Sequence, residues 1–208
     1  MDKEYWSSYY KSLNHVLKPS LFARYVMSDI IKEHLSLVEL GCGNGRDAIC
    51  FANENINVLA VDQCEDEIKL LNNRYKQLQN IEFVSGDFSK LDDGRNFDIV
   101  YSRFTLHSVS KEQESRTLNW AYRNLNLNGC FCIEVRGEKN EIYKKGEKVI
   151  GEENAFILDG HYRRFLNFDE LCNSLAQIGF TIEYASEEKG FAPFNGEDET
   201  YIRVIAKK

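Results

Sequence analysis

One feature limits the fold more than any other: apolar runs and helical periods take turns along the chain. "LSLVELG" (35–41), "NVLAVD" (57–62), "IEFVSGD" (81–87), "FDIVYS" (97–102) and "GCFCIEVR" (129–136) read as strands rich in Val, Ile and Phe. Between them, Ile68, Leu71, Tyr75 and Leu78 recur at helical spacing, as do Leu118, Tyr122 and Leu125, and later Leu171, Leu175 and Ile178. Runs nearly continuous in apolar residues belong to strands covered on both faces. Strand–helix alternation closes by right-handed crossovers into a parallel sheet, which gives an α/β fold with helices on both faces. Asn167 before "FDEL" reads as an N-cap with Glu170 three residues on, and Gly179 as the stop of that helix. "FTIEYAS" (180–186) and "TYIRVIAK" (200–207) add two strands, the last antiparallel at or near an edge. Two pieces stand outside the alternation. Residues 1–34 are expected to form an N-terminal cap of two helices, and residues 137–166, without a clear period, a mobile cover over the substrate. With 208 residues, two prolines and no repeat, the chain reads as one domain, 1–208.

The chemistry is concentrated at strand ends. The first strand runs into "ELGCGNGRD", where Gly41, Gly43 and Gly45 let the backbone turn tightly and approach a ligand. A dinucleotide fingerprint, G-x-G-x-x-G, would place glycine at position 46, which is Arg46. Glu39 precedes the first glycine, Asp62 ends the second strand near the ~20-residue interval of a ribose-binding carboxylate, and Asp87 with Phe88 follows the third. In this ordered set the chain resembles the class I S-adenosylmethionine-dependent methyltransferases. "VELGCGNG" is similar to their first motif, "VD" at 61–62 to the second and "GDF" at 86–88 to the adenine motif. The resemblance implies a Rossmann-like seven-stranded sheet, mostly parallel, with S-adenosylmethionine over the ends of its first half. It implies that Asp62 holds the ribose and that Asp87 and Phe88 hold the adenine. The turn at Gly41 and Gly43 would face the methionine moiety, with Glu39 supporting the ammonium. Tyr10, Gln63 and Ser102 complete the implied cofactor set.

The acceptor is argued from other residues. After the fourth strand the chain reads "SRFTLHSV", without the Pro-Pro-aromatic tetrad common in nucleic-acid amino methylases. A net charge of -7 and a pI of 5.2 also argue against a nucleic-acid partner. Arg103 and His107 instead follow that strand, Arg136 ends the fifth, and "GHYRRF" brings His161, Arg163 and Arg164. Alone, an arginine at a strand end is more often a surface or salt-bridge residue, and a single histidine more often a cap. In an extended segment, consecutive arginines cannot both face inward, so one of Arg163 and Arg164 is solvated or paired with an acid. Their recurrence at one mouth points to a small anionic partner bound by guanidinium forks. "GCGNGRD", "SRFTLH" and "GHYRRF" together are similar to bacterial methyltransferases of capsule and surface-polysaccharide pathways. That resemblance implies transfer to an oxygen of a phosphorylated or phosphoramidate metabolite or glycan precursor.

Tyr9 and Tyr10, in "YWSSYY", read either as an aromatic lid over the site or as the packing face of a helix. His107 or His161 is the candidate base for an alcohol acceptor, whereas an ionised acceptor needs none. Other readings stay open: a sulfur, nitrogen or inorganic oxyanion acceptor, or a non-catalytic cofactor-binding module. No metal-ligating cluster is visible. Six cysteines without a CxxC pair suit a reducing, cytoplasmic setting, and Met1–Ser20 is too polar for a signal-peptide core. No apolar run approaches the ~20 residues of a membrane span.

Overall fold

In the strand β1 (Ser36–Leu40), alternate residues separate cleanly: Val38 and Leu40 pack into one apolar cluster, Leu37 into another on the opposite face. Each cluster is roofed by helices, which is why the strand is apolar on both sides. The computed structural model describes residues 18–31, 35–92 and 94–208. In chain order α1 (Leu21–Asp29) precedes β1, and α2 (Arg46–Asn53), β2 (Asn57–Asp62), α3 (Glu65–Arg74), β3 (Ile81–Ser85) and β4 (Phe97–Arg103) follow. Next come α4 (Lys111–Asn124), β5 (Leu125–Val135), β6 (Glu147–Lys148), β7 (Ala155–Leu158), β8 (His161–Arg164), α5 (Phe168–Ile178), β9 (Thr181–Glu188) and β10 (Tyr201–Lys207).

Seven strands form the main sheet in the order β3-β2-β1-β4-β5-β10-β9. The first five are mutually parallel, and β10 runs antiparallel between β5 and β9. This is the Rossmann-like sheet expected from the sequence, with the antiparallel strand one position in from the edge. Strand order reverses between β1 and β4, so loops leave those two strand ends in opposite directions and open a crevice. Local signals hold: the Asn167 side chain accepts from the Glu170 N–H, and Gly179 ends α5 at φ 121. Ser110 and Gln113 add a reciprocal capping box at α4. Tyr75 and Leu78 fall beyond α3, and Leu125 opens β5 rather than closing α4.

One expectation changes, and another falls partly outside the described residues. Of the N-terminal cap, one helix, α1, lies in the described residues; Tyr9 and Tyr10 lie outside them. Residues 137–166 are not a structureless cover. They hold an antiparallel sheet in the order β6-β7-β8, packed by Tyr143, Phe156 and Phe165 with ring centroids 5.3–6.1 Å apart. Asp159 and Gly160, both at positive φ (54 and 71), make the two-residue turn that pairs Leu158 with His161. The sequence carried this hairpin signal, "DG" between "AFIL" and "HYRR", without a helical or long apolar period to announce it.

No atom lies within 4 Å of the position a Cβ would take on Gly160, so Gly160→Ala isolates the backbone cost of φ +71. We expect roughly 1–2 kcal/mol less protection of the 155–164 amides in hydrogen exchange, largely restored by Asn. Unchanged protection would refute the turn.

Candidate functional site

The chain after β1 turns back at once. The N–H groups of Gly41 and Cys42 both donate to the Val61 carbonyl, at 2.8 and 3.0 Å, seating the glycine turn against β2. At Gly41 (φ +76) a Cβ would stand 2.2 Å from Thr105 Cγ2, so only glycine lets the turn and the β4–α4 segment meet. The Gly43 N–H donates to Asp62 Oδ2 at 2.9 Å and the Cys64 N–H to Oδ1 at 2.8 Å. Asp62 thereby ties the turn to the end of β2 and keeps acceptor capacity on both oxygens. Burial raises its pKa while those amide bonds lower it.

The turn borders a cavity of about 660 Å³ over the ends of β1, β4 and β5. Of the implied cofactor residues, Glu39, Gly41, Gly43, Asp62, Gln63 and Phe88 line it. Two do not. Asp87 accepts from the Ser89 N–H and hydroxyl at 3.0 and 2.7 Å, capping the 3-10 turn that presents Phe88. Ser102 is buried behind the wall, hydrogen-bonded to Thr105. Glu39 stands out electrostatically. It is 4% exposed, its Oε2 has no hydrogen-bond partner, and it faces Asp47 and Asp62 with Arg46 and Arg103 as the opposing charges. Burial first, then Asp47, pushes its carboxyl well above the ordinary 4.5. A buried carboxylate oxygen left in this state calls for a cationic or N–H donor.

Sequence reasoning missed Asp47. Its carboxylate takes the Ser20 N–H and hydroxyl, both at 2.7 Å, and the Tyr101 hydroxyl at 2.9 Å. This brings Pro19, Ser20, Leu21 and Arg24 onto the cavity wall. The available signal was an acid in the first turn of α2 with Ser20 as the N-cap of α1.

The cations converge, but most are compensated. Arg103, Arg136, His107, His161 and Arg163 all line the cavity. Arg103 donates to Glu134 Oε1 at 2.9 Å, and Arg203 to Oε2 of the same buried carboxylate at 2.6 Å, across the register β4-β5-β10. Two guanidiniums on one carboxylate leave surplus positive charge. Arg136 is neutralised by Glu199 at 2.5 Å and also reaches Asn140 at 2.8 Å. In β8 alternation decides the roles: His161 and Arg163 face the cavity, while Tyr162 donates to Glu152 at 2.6 Å. Arg164 is corrected. It is buried, ion-paired with Glu114, and donates to the carbonyls of Val109 and Leu106 at 3.0 and 3.2 Å, so it is spoken for.

His107 is 4% exposed, and its Nδ1 accepts the Arg136 backbone N–H at 3.4 Å. Burial, then Arg136, His161 and the neighbouring arginines, holds its pKa well below 6.5. The ring is neutral with its proton on Nε2, which makes it a donor to the cavity rather than a base. Sequence missed its neighbours Thr105, Ser108 and Tyr201, and Phe104 at φ 59, a strained non-glycine residue packed 4.8 Å from Tyr201. Among the described residues no His/Cys/Asp/Glu group suits a metal, and no helix is long and apolar enough to cross a membrane.

Residues 37–129 match the family model described as Methyltransferase domain. Over 81 residues the chain is 28% identical to the cypemycin N-terminal methyltransferase of a Streptomyces species. The match takes in 39% of this chain and 33% of that protein, about a third of the curated relative's length. An S-adenosylmethionine-dependent methyltransferase from Methanosarcina mazei superimposes with a TM-score of 0.75 at 19% identity, covering 88% of this chain and 96% of that one. The 1,6-didemethyltoxoflavin-N1-methyltransferase of Burkholderia thailandensis, solved with S-adenosylhomocysteine, gives 0.71 at 19% identity, covering 100% and 84%. The fold is the Rossmann-like methyltransferase fold.

Because the folded-state pKa of Glu39 lies above its ordinary value, its ionisation destabilises the fold as pH rises from 4.5 through that raised value. Glu39→Gln is blind to this. The variant should therefore unfold at a higher temperature than wild type at pH 8, with the gap closing toward pH 5. A pH-independent gap in thermal melts would show that Glu39 is not a strained carboxylate.

Proposed function

We infer that the chain is an S-adenosylmethionine-dependent methyltransferase that methylates an oxygen on a small anionic acceptor. The observation that carries the cofactor is the orphaned Glu39 oxygen beside the glycine turn, on the same cavity as Asp62 and Phe88. That donor set fits an amino-acid ammonium, a ribose diol and an adenine face respectively. Arg46, in place of a third glycine, fits a ligand without pyrophosphate.

Bound there, S-adenosylmethionine would supply an electrophilic methyl whose bond to sulfur breaks as the bond to the acceptor forms, with the neutral thioether as leaving group. The chain's own residues do the rest. Glu39 would hold the ammonium end of the cofactor, Asp62 its central ribose and Phe88 its adenine end, and the Ser20–Asp47–Tyr101 network holds the start of α1 as a wall against water. His107 keeps its proton on Nε2 and orients the acceptor by donation. Arg103, with the charge surplus of its shared carboxylate, favours an acceptor that is already ionised and needs no base. Should the acceptor be an alcohol, His161 is the remaining candidate to take its proton. The phosphorylated or phosphoramidate class rests on the resemblance to surface-polysaccharide methyltransferases and on these donors. Nitrogen is the second reading, since the cypemycin and toxoflavin relatives are named for N-terminal and N1 methylation. Six free cysteines fit a cytoplasmic setting.

Asp62→Ala removes the ribose acceptor, and charge-assisted bonds are each worth about 1.5–3 kcal/mol. Calorimetry should show at least about a tenfold loss of S-adenosylhomocysteine affinity, with the circular dichroism of the wild type retained. Equal affinity would place the cofactor elsewhere. Turnover with a panel of phosphorylated metabolites, read as S-adenosylhomocysteine release and one added methyl, then tests the acceptor.

A further inference from the structure

Ser108 is used by nothing described so far. It neighbours His107 on the 3-10 turn Leu106–Ser108, is 5% exposed, and lines the cavity. Its backbone N–H closes the turn onto the Thr105 carbonyl at 2.9 Å, yet its hydroxyl has no hydrogen-bond partner. A buried hydroxyl in that state is a cost unless a ligand meets it. Beside it, the neutral His107 ring offers Nε2–H, because Nδ1 is taken by the Arg136 N–H. The nearest cavity arginine by sequence, Arg103, shares the Glu134 carboxylate with Arg203 and also interacts with Asp47 and Glu39. Of the acids that line the cavity, Glu39, Asp47 and Asp62 belong to the glycine-turn side, and Glu199 is engaged through Oε2 by Arg136 and by the Tyr201 hydroxyl; Glu197 also lines it. The turn thus offers donors and no anion of its own.

We propose that the Ser108 hydroxyl and the His107 Nε2–H form a two-donor seat for an oxyanion group of the acceptor, phosphoryl or carboxylate, and that Arg164 fixes this seat from behind. The role as acceptor seat rests on the methyltransferase reading above. Arg164 is a positioning residue. Its charge is met by Glu114, and its remaining N–H groups hold the carbonyls of Leu106 and Val109, which bracket the pair. A lysine keeps the charge but cannot span both carbonyls.

The test is a titration of the protein, saturated with S-adenosylhomocysteine, by inorganic phosphate and separately by acetate, following the amide shifts of residues 104–109. At least one anion should saturate, and which one does distinguishes phosphoryl from carboxylate. Ser108→Ala should weaken that anion about tenfold, one charge-assisted bond, with S-adenosylhomocysteine affinity unchanged. Arg164→Lys should weaken it similarly without touching the anion; Arg164→Ala is avoided because it strands the buried Glu114. Saturation by neither anion, or wild-type affinity in Ser108→Ala, overturns the seat. A protein that fails to bind S-adenosylhomocysteine would instead strike the methyltransferase reading, and the same titration of the cofactor-free protein then decides the seat.

Discussion

The hydrogen bond from the Gly43 N–H to Asp62 is the tie from which the cleft is laid out. It joins the turn after β1 to the end of β2, on the side of β1 opposite β4. With that turn fixed, Gly41 stands against Thr105, and the β4–α4 segment takes its place across the crevice. Glu39, one pleat before the turn, is then held in register between Ala60 and Tyr101, too deep for water to satisfy it. A carboxylate buried in this way is tolerated because the free protein can keep it protonated, and because a cationic ligand relieves it.

Charge is handled differently on the arginine-lined side of the cavity. An acidic protein gathers arginines there, and carboxylates meet four of them: Glu134 for Arg103 and Arg203, Glu199 for Arg136, Glu114 for Arg164. Unpaired guanidiniums in so enclosed a place would repel one another and unsettle the fold. Sharing Glu134 between two of them lets one buried acid tie β4, β5 and β10 together. The aromatic rings around Arg203, with Phe191 4.0 Å and Phe22 4.8 Å from its guanidinium, let that second cation stay buried.

The sheet was legible because its strands alternate with helices over most of the chain, and periodicity reports that directly. The glycine-turn side of the cavity was legible because it is built from backbone turns and strand-end acids close together in sequence, so Glu39, Gly41, Gly43, Asp62 and Phe88 line one cavity. Asp87 adds what sequence does not report: its Oδ1 is engaged by the Ser89 N–H and hydroxyl, capping the turn that presents Phe88. The arginine-lined side depends on side chains from β4, β5, β8 and the β9–β10 loop, and on which carboxylate an arginine meets. Those pairings, such as Arg136 with Glu199 63 positions away, have no local sequence signature.

β8 shows how a short basic run becomes two devices. Strand geometry sends His161 and Arg163 to one side and Tyr162 and Arg164 to the other, so the pattern HYRR cannot act as a single cationic patch. One face completes the cavity wall, and the other, through Arg164, grips the turn that carries His107 and Ser108. The hairpin turn at Asp159 and Gly160 sets which residue pairs with Leu158, and hence which face each side chain takes. A slip of one residue would turn Arg164 toward the cavity and strand Glu114, a buried acid, without its partner. The cost of that stranded charge enforces the register, and the register delivers His161 and Arg163 to the site.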